Sequence, residues 1–267
     1  RTRMHLIRNY LTNNDCYKAG KPLNIRGIMV HSTGANNPNL KRYVQPDKDG
    51  IGVNKNGNDW NHPGIETCVH AFIGRLDDGS IATVQTLPWN MRAWHAGSGR
   101  WGSANNSYIS FEICEDGLTD PDYFNAVYTE AIELCAYLCR LYRLDPSQED
   151  VLICHSEGFT IGVASNHADV MHWFPMHNKT MNDFRTDVYA LLKSAGGASP
   201  EEIVREYRKT LQDNDAENWS EEAREWAIRN GLITGYEGNY MWQDFVNREQ
   251  LVTILKAFNK TLGNPVP

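Results

Sequence analysis

Two short apolar runs in this chain end alike, Ile28-Met29-Val30-His31-Ser32 and Leu152-Ile153-Cys154-His155-Ser156. Each has the length of a strand, and each delivers an imidazole where the apolar run stops. If the two strands are parallel neighbours, both rings emerge at the same sheet edge, where open α/β sheets place their ligand sites. Further strand-like runs at 69–73, 81–84 and 108–114 alternate with turn residues, Asp77-Asp78-Gly79 forming a hairpin-type turn. Two helices stand among them. From Pro121, with Asp120 as N-cap, apolar residues recur at Phe124, Val127, Ala131, Leu134, Leu138 and Leu141. From Met181, behind Thr180 and its reciprocal partner Asp183, the stripe is Phe184, Val188, Leu191 and Leu192. Strands mixed with helices predict an α/β domain with one central sheet flanked by helices. The Asn-, Gly- and Pro-rich stretch 43–62 reads as a long loop.

The pattern changes at Ser194-Ala-Gly-Gly-Ala-Ser-Pro200, a small, polar stretch with the composition of a linker. Residues 1–193 are therefore expected to form one domain and 201–267 a small all-α domain, with helices near 200–212, 220–229 and 247–258. The formal charge of −7 argues against a nucleic-acid partner, whose footprint is basic and clustered. From Pro200 onward eight Lys and Arg face twelve Asp and Glu, so −4 of that −7 belongs to the tail. Mean hydropathy is −0.54, and no apolar run approaches the roughly 18 residues that cross a bilayer, so no membrane span is expected. Arg1-Thr2-Arg3-Met4 has no apolar segment behind it, which gives the expectation of synthesis in the cytoplasm without a signal peptide. The six cysteines, 16, 68, 114, 135, 139 and 154, read as reduced core thiols of a protein made in a reducing compartment.

His31 and His155 gain a third potential ligand in Asn166-His167-Ala168-Asp169-Val-Met-His172, which offers Asp169 with His167 and His172 close by. Two ligands close in sequence and one distant, all of N/O type, suit a zinc site that keeps a position for water. In Tyr108-Ile109-Ser110-Phe111-Glu112-Ile113-Cys114, alternation puts Glu112 on the face of Ser110 and Cys114, opposite Ile109, Phe111 and Ile113. Such an acid is either a solvated surface residue or a general base for water activated at the metal. Cys135 and Cys139 stand one helical turn apart and read as packing residues rather than a structural clip with Cys154. Trp94-His95-Ala96-Gly97 leads into a Gly-rich loop that lets a ligand approach the backbone, a candidate substrate groove in which His95 is not a ligand.

Five segments taken in order, Ile28-Met-Val-His-Ser-Thr33, Val69-His-Ala-Phe-Ile-Gly74 followed by Asp78-Gly79, Ala93-Trp-His-Ala-Gly97, Ile109-Ser-Phe-Glu-Ile-Cys114 and Ile153-Cys-His-Ser156, resemble the zinc-dependent N-acetylmuramoyl-L-alanine amidases. That family shares the peptidoglycan-recognition fold and includes phage endolysins. The resemblance spans about residues 5–193. It implies a central mixed sheet flanked by helices, and cleavage of the amide between N-acetylmuramic acid and L-alanine of the stem peptide. His31, His155 and Asp169 match its Zn2+ ligands and Glu112 its catalytic strand glutamate. His70 falls where many relatives carry a catalytic Tyr or Trp, and His167 where relatives often carry Lys; both are expected to stabilise an oxyanion. The chain lacks the Pro-Gly or Cys-Pro usual at the third ligand, which leaves His172 as a competitor to Asp169.

In the tail, Trp219-Ser-Glu-Glu-Ala-Arg-Glu-Trp-Ala-Ile-Arg-Asn-Gly-Leu-Ile-Thr-Gly235, then Gly238 and Phe245-Val-Asn-Arg-Glu-Gln-Leu251, resembles a single S-layer-homology repeat. That likeness implies contact with a secondary cell-wall polymer or completion of the unit by a homodimer or higher oligomer. Bacterial peptidoglycan is the expected partner of the first domain, and an endolysin of a phage or prophage, released to the wall on lysis, the expected biology. A recognition module that binds peptidoglycan without cutting it is the rival; a complete ligand set speaks against it.

Overall fold

In the computed structural model, which describes residues 4–194, 204–205, 207–208, 216–235 and 240–263, strand β2 (Gly27–Asn36) lies between β5 (Tyr108–Glu115) and β6 (Leu152–Cys154), parallel to both. Ile28, Met29 and Val30 pair with Leu152, Ile153 and Cys154, so the two runs that end in histidine are parallel neighbours. Beyond β5 lie β3 (Ala71–Arg75), then β4 (Ile81–Gln85) antiparallel to it, then β1 (Leu6–Arg8). The result is a mixed six-stranded sheet in the order β1-β4-β3-β5-β2-β6.

One face of that sheet is closed by α2 (Pro121–Tyr142) and α4 (Met181–Lys193). Asp120 accepts from the backbone N–H groups of Asp122 and Tyr123 at the start of α2, and Thr180 exchanges bonds with Asp183 at the start of α4. The stripe residues Phe124, Val127, Ala131, Leu134, Leu138, Phe184 and Val188 are buried in one cluster with Ile28, Val30, Ile109, Phe111 and Ile113. Cys135 and Cys139 belong to the same cluster as free thiols, which is the packing role their spacing suggests. The opposite face carries Phe72, Val84 and Cys114 and is covered by Leu40, Tyr43, Val44 and Ile51 at the head of the long loop. Alternation along β5 therefore turns Glu112 away from the helices.

Several boundaries differ from the sequence expectation. His31 is not at the end of its strand: β2 runs on to Asn36, its pairing to β5 shifting register between Ser32 and Asn36. His155 is the first residue of a short helix, α3 (His155–Thr160), where Cys154 N–H donates to the Glu157 carboxylate. β3 starts two residues later than its apolar run, although His70 N–H already donates to Ser110 O on β5. β1 and α1 (Asp15–Ala19) are too short to show a period.

The reading of all six cysteines as reduced is corrected. Cys16 and Cys68 form a disulfide, while Cys114, Cys135, Cys139 and Cys154 are free and buried. The bridged pair lies outside the apolar runs. Asn14 brings it together, accepting from Cys16 N–H and donating to the carbonyls of Trp60 and Thr67, so the chain on either side of the long loop meets.

Contacts divide the chain into two units, Arg1–Gly197 and Ala198–Pro267. In the second, α5 (Glu221–Arg229) and α6 (Arg248–Thr261) are described, the latter capped by Asn247 with Gln250. Most of the expected linker and of the helix near 200–212, and the turn around Gly238, lie outside the described residues. Leu232 is the one buried hydrophobic side chain among the described residues of this unit. No helix among the described residues is long and apolar enough to cross a membrane.

Candidate metal centre

His31 reaches the site from β2, His155 from the first turn of α3, and Asp169 from a single 3-10 turn (Asp169–His172) after it. His31 Nδ1 lies 2.7 Å from Asp169 Oδ2 and 3.1 Å from His155 Nδ1, and His155 Nδ1 lies 3.3 Å from the same carboxylate oxygen. Both histidines are buried. Among the described residues this is the one cluster of three such groups whose geometry could hold a metal ion.

The outer nitrogens decide what the inner ones offer. His31 Nε2 is 2.8 Å from His95 Nδ1, and His155 Nε2 is 3.2 Å from Ser165 Oγ, which itself donates to Ala96 O. With its proton on Nε2, donated outward, each ring presents a bare Nδ1 to the centre; this is how outer partners fix a metal-binding tautomer. Two bare nitrogens and a carboxylate at about 3 Å repel unless a proton or a cation lies between them. Ligands about 2.0–2.2 Å from a tetrahedral zinc stand about 3.3 Å from one another, so shifts of a few tenths of an ångström suffice. The donor set therefore fits zinc.

Burial lowers the His31 pKa, a hydrogen bond with Asp169 opposing it. Burial also disfavours the Asp169 charge, yet in the metal-free protein, with ring protons rather than a cation turned inward, hydrogen bonds from His155 and His31 hold its carboxyl well below the usual range. Asp169 sits at φ 46, a left-handed conformation that Asp tolerates better than most residues but adopts seldom. His172, the sequence's other candidate ligand, turns away to Glu115, with Nε2 2.9 Å from Oε1.

Glu112 is the register partner of His31 across the parallel β2/β5 ladder, so the two side chains leave the sheet on one face. Its Oε2 is buried and has no hydrogen-bond partner. Burial, then the charges of Asp169 and Glu115, push its carboxyl well above the ordinary value. Glu112 as a whole is half-buried with Oε2 turned inward, which is not the setting of a fully solvated surface acid.

His167 is exposed at the rim, its Nδ1 3.1 Å from Ser165 Oγ and its ring 4.8 Å from that of His155. His70 differs. It is fully buried, its Nδ1 accepts from Ser110 N–H at 3.0 Å and its Nε2 donates to Met91 O at 2.7 Å. Burial brings its pKa down to about 4, and with both nitrogens committed to backbone it has nothing to offer an oxyanion.

Trp94 is exposed beside the partly buried His95. Asn105, buried and without any pattern to announce it, accepts from the N–H groups of both His95 and Ala96 and so shapes this loop. Gly97, at φ 62, has no room for a side chain, since a Cβ would stand 2.9 Å from Ser165 Oγ. Ser165 was equally invisible in sequence, although it touches His155, His167 and Ala96.

Two imidazoles and a carboxylate converging beside an unpaired acid, at the edge of an open mixed sheet, are the equipment of a hydrolase. Residues 21–177, more than half of the chain, match the family described as N-acetylmuramoyl-L-alanine amidase, and the chain belongs to that family of hydrolases acting on peptidoglycan. Solved structures of similar fold include a mutant of PlyL (17% identity, 72% of this chain and 100% of that one, TM-score 0.49). Others are the Staphylococcus aureus hydrolase AmiA in complex with its ligand (18%, 71% and 83%, 0.48) and a mutant endolysin from Bacillus subtilis (19%, 69% and 99%, 0.49). No curated protein matches the chain.

Proposed function

We propose that this chain is a zinc-dependent N-acetylmuramoyl-L-alanine amidase that cuts the amide between the lactyl group of N-acetylmuramic acid and L-alanine. The observation that carries this reading is the convergence of His31 Nδ1, His155 Nδ1 and the Asp169 carboxylate on one point, with Glu112 Oε2 unpaired on the same face. His31, His155 and Asp169 hold the ion. Bound there, zinc polarises the scissile carbonyl and brings the pKa of water at its open position down to about 7.

Glu112 takes the proton from the attacking water as the C–O bond forms and returns it to the L-alanine nitrogen as the tetrahedral oxyanion collapses and the C–N bond breaks. A carboxyl whose resting pKa is raised suits both halves of that transfer. His167, exposed at the rim, would donate from Nε2 to the oxyanion as the doubly protonated ring, because Ser165 Oγ, whose own proton goes to Ala96 O, takes the Nδ1 proton; His70 serves the fold instead. The Trp94 to Gly97 loop forms one wall of the substrate groove. The same groove without chemistry would be a peptidoglycan-recognition module, and an unpaired buried acid is a cost that a pure binder has no use for.

Digestion of purified cell wall followed by mass spectrometry tests the reading. An amidase releases intact stem peptides that begin with L-alanine, and chelator abolishes the release; sugar–peptide fragments cut within the stem, or full activity after chelation, refute it. As to biology, we propose an endolysin of a phage or prophage. Four buried free thiols suit synthesis in a reducing compartment, and the Cys16–Cys68 pair closes on release to the wall.

For the second unit we propose self-association. On α6, Leu251, Leu255, Phe258 and Leu262 follow a 4-3-4 spacing and are 37–59% exposed. A net charge of −4 disfavours an anionic wall polymer as the ligand that covers this stripe, whereas a second copy covers it with an equivalent one.

A further inference from the structure

Asp169 is held by a single 3-10 turn (Asp169–His172), which it enters at φ 46. A non-glycine residue in that region is strained and persists only where its surroundings determine it. On the apolar side the surroundings are Val170 and Trp173, both fully buried, with the indole 5.4 Å from the Phe124 ring. These fix the depth of the turn. Neither side chain ties the turn to the sheet by a hydrogen bond, Trp173 Nε1 having no partner.

The polar contact that does is His172 with Glu115. His172 Nε2 lies 2.9 Å from Glu115 Oε1, and the Glu115 side chain is 5% exposed. Glu115 is itself tied down: its N–H donates to Thr33 Oγ1 at 3.1 Å, and it pairs with Asn36 across the β2/β5 ladder. The positions correspond. His172 follows Asp169 by three residues on the turn, Glu115 follows Glu112 by three on β5, and Thr33 follows His31 by two on β2. Two contacts that share Glu115 thus join the three segments that carry Asp169, His31 and the unpaired acid. A surface ion pair would be worth little, but an acceptor this buried makes a short, charge-assisted bond that stays in place.

We infer that His172 and Glu115 are a positioning pair, which sets where the Asp169 carboxylate stands relative to His31 and Glu112. The inference rests on the zinc reading above. His172 is no ligand: its Nε2 belongs to Glu115 rather than to the centre.

Zinc affinity tests this more directly than turnover. The full chain, stripped of metal, is titrated with Zn2+ against a chromogenic chelator as wild type, His172→Ala and His172→Gln, with a thermal melt of each metal-free protein. Outer partners of ligands typically contribute about 10–100-fold in metal affinity, so His172→Ala is expected to raise Kd by that factor. His172→Gln, which keeps an N–H donor for Glu115, restores affinity to within about threefold of wild type. The metal-free melt of His172→Gln coincides with wild type, while His172→Ala, which leaves the buried Glu115 carboxylate without its donor, folds but melts a few degrees lower. If His172→Ala binds zinc as tightly as wild type, or if Ala and Gln weaken it equally, the pair does not position the ligand. Wild type that binds no zinc refutes the metal reading itself, and the inference with it.

Discussion

Glu112→Gln is expected to change stability and activity in opposite directions. In the metal-free protein, Glu112 Oε2 is buried without a donor and its carboxyl is raised by burial and then by the charges of Asp169 and Glu115. A buried acceptor left unpaired costs about 1–3 kcal/mol. An acid whose folded pKa is raised binds its proton more tightly folded than unfolded. Its contribution to stability is therefore present below the unfolded value of 4.5 and is lost as pH rises toward the folded one. Glutamine has no proton to lose. At pH 7.5 the metal-free variant is expected to melt higher than wild type, and at about 2–4 °C per kcal/mol for a domain of this size the gain is about 2–12 °C.

Turnover moves the other way. Removing a general base typically costs about 10²–10⁴-fold, or about 3–5 kcal/mol in the barrier. The assays are calorimetry of chelator-treated protein across pH 4–8 and release of new amino termini from purified wall. The gap in melting temperature should widen with pH, because only wild type ionises at this position. A Glu112→Gln protein that melts below wild type across this range, or that keeps wild-type turnover, refutes the assignment.

Glu130 offers a second acid test away from the site: burial raises its pKa from 4.5 to about 7 despite hydrogen bonds from Thr83 Oγ1 and His5 N–H. Stability should fall as pH rises between those values, and Glu130→Gln should match wild type at pH 4 but exceed it by up to about 3 kcal/mol at pH 8 in urea titrations. Reduction of the Cys16–Cys68 bond, which closes a separation of 52 residues, is expected to cost about 4 kcal/mol by loop entropy, read as a lower urea midpoint in dithiothreitol. Leu255→Asp should convert an associated species to monomer in sedimentation equilibrium of the full chain without changing wall hydrolysis; monomeric wild type removes the self-association reading.

Periodic features were the legible ones. The stripes of α2 and α4 run over many residues, and their caps are chemical signatures, so both helices follow from sequence alone. The runs ending in His31 and His155 announce two parallel strands because each is apolar on both faces. What escaped was local. Asn14 docks Cys16 beside Cys68 through two backbone carbonyls, and Asn105 and Ser165 shape the site through single hydrogen bonds. An amide or hydroxyl that acts through one contact leaves no period and no spacing behind.

The histidines show what sequence spacing lacks and what hydrogen bonding supplies. His31, His70, His155, His167 and His172 all stood as candidates, and their roles separate once each ring nitrogen is followed to its partner. His70 has both nitrogens on the backbone, so it is structural although it occupies a position where relatives place a catalytic aromatic. His31 and His155 have their outer nitrogens engaged by His95 and Ser165 and their inner ones facing a carboxylate, the arrangement that the proposed zinc site requires. His167 is exposed and bound only through Ser165, which leaves its Nε2 to a substrate. His172 is bound to a buried acid on the neighbouring strand, which makes it a brace for the ligand three residues before it. Substitutions should sort the same way: His70→Ala lowers the melt, His31→Ala abolishes zinc binding, His167→Ala lowers turnover alone, and His172→Ala weakens zinc while the metal-free protein still folds. A side chain's residue type and place in the chain fix only what it can donate or accept; the function follows from which of its atoms the fold leaves unspent.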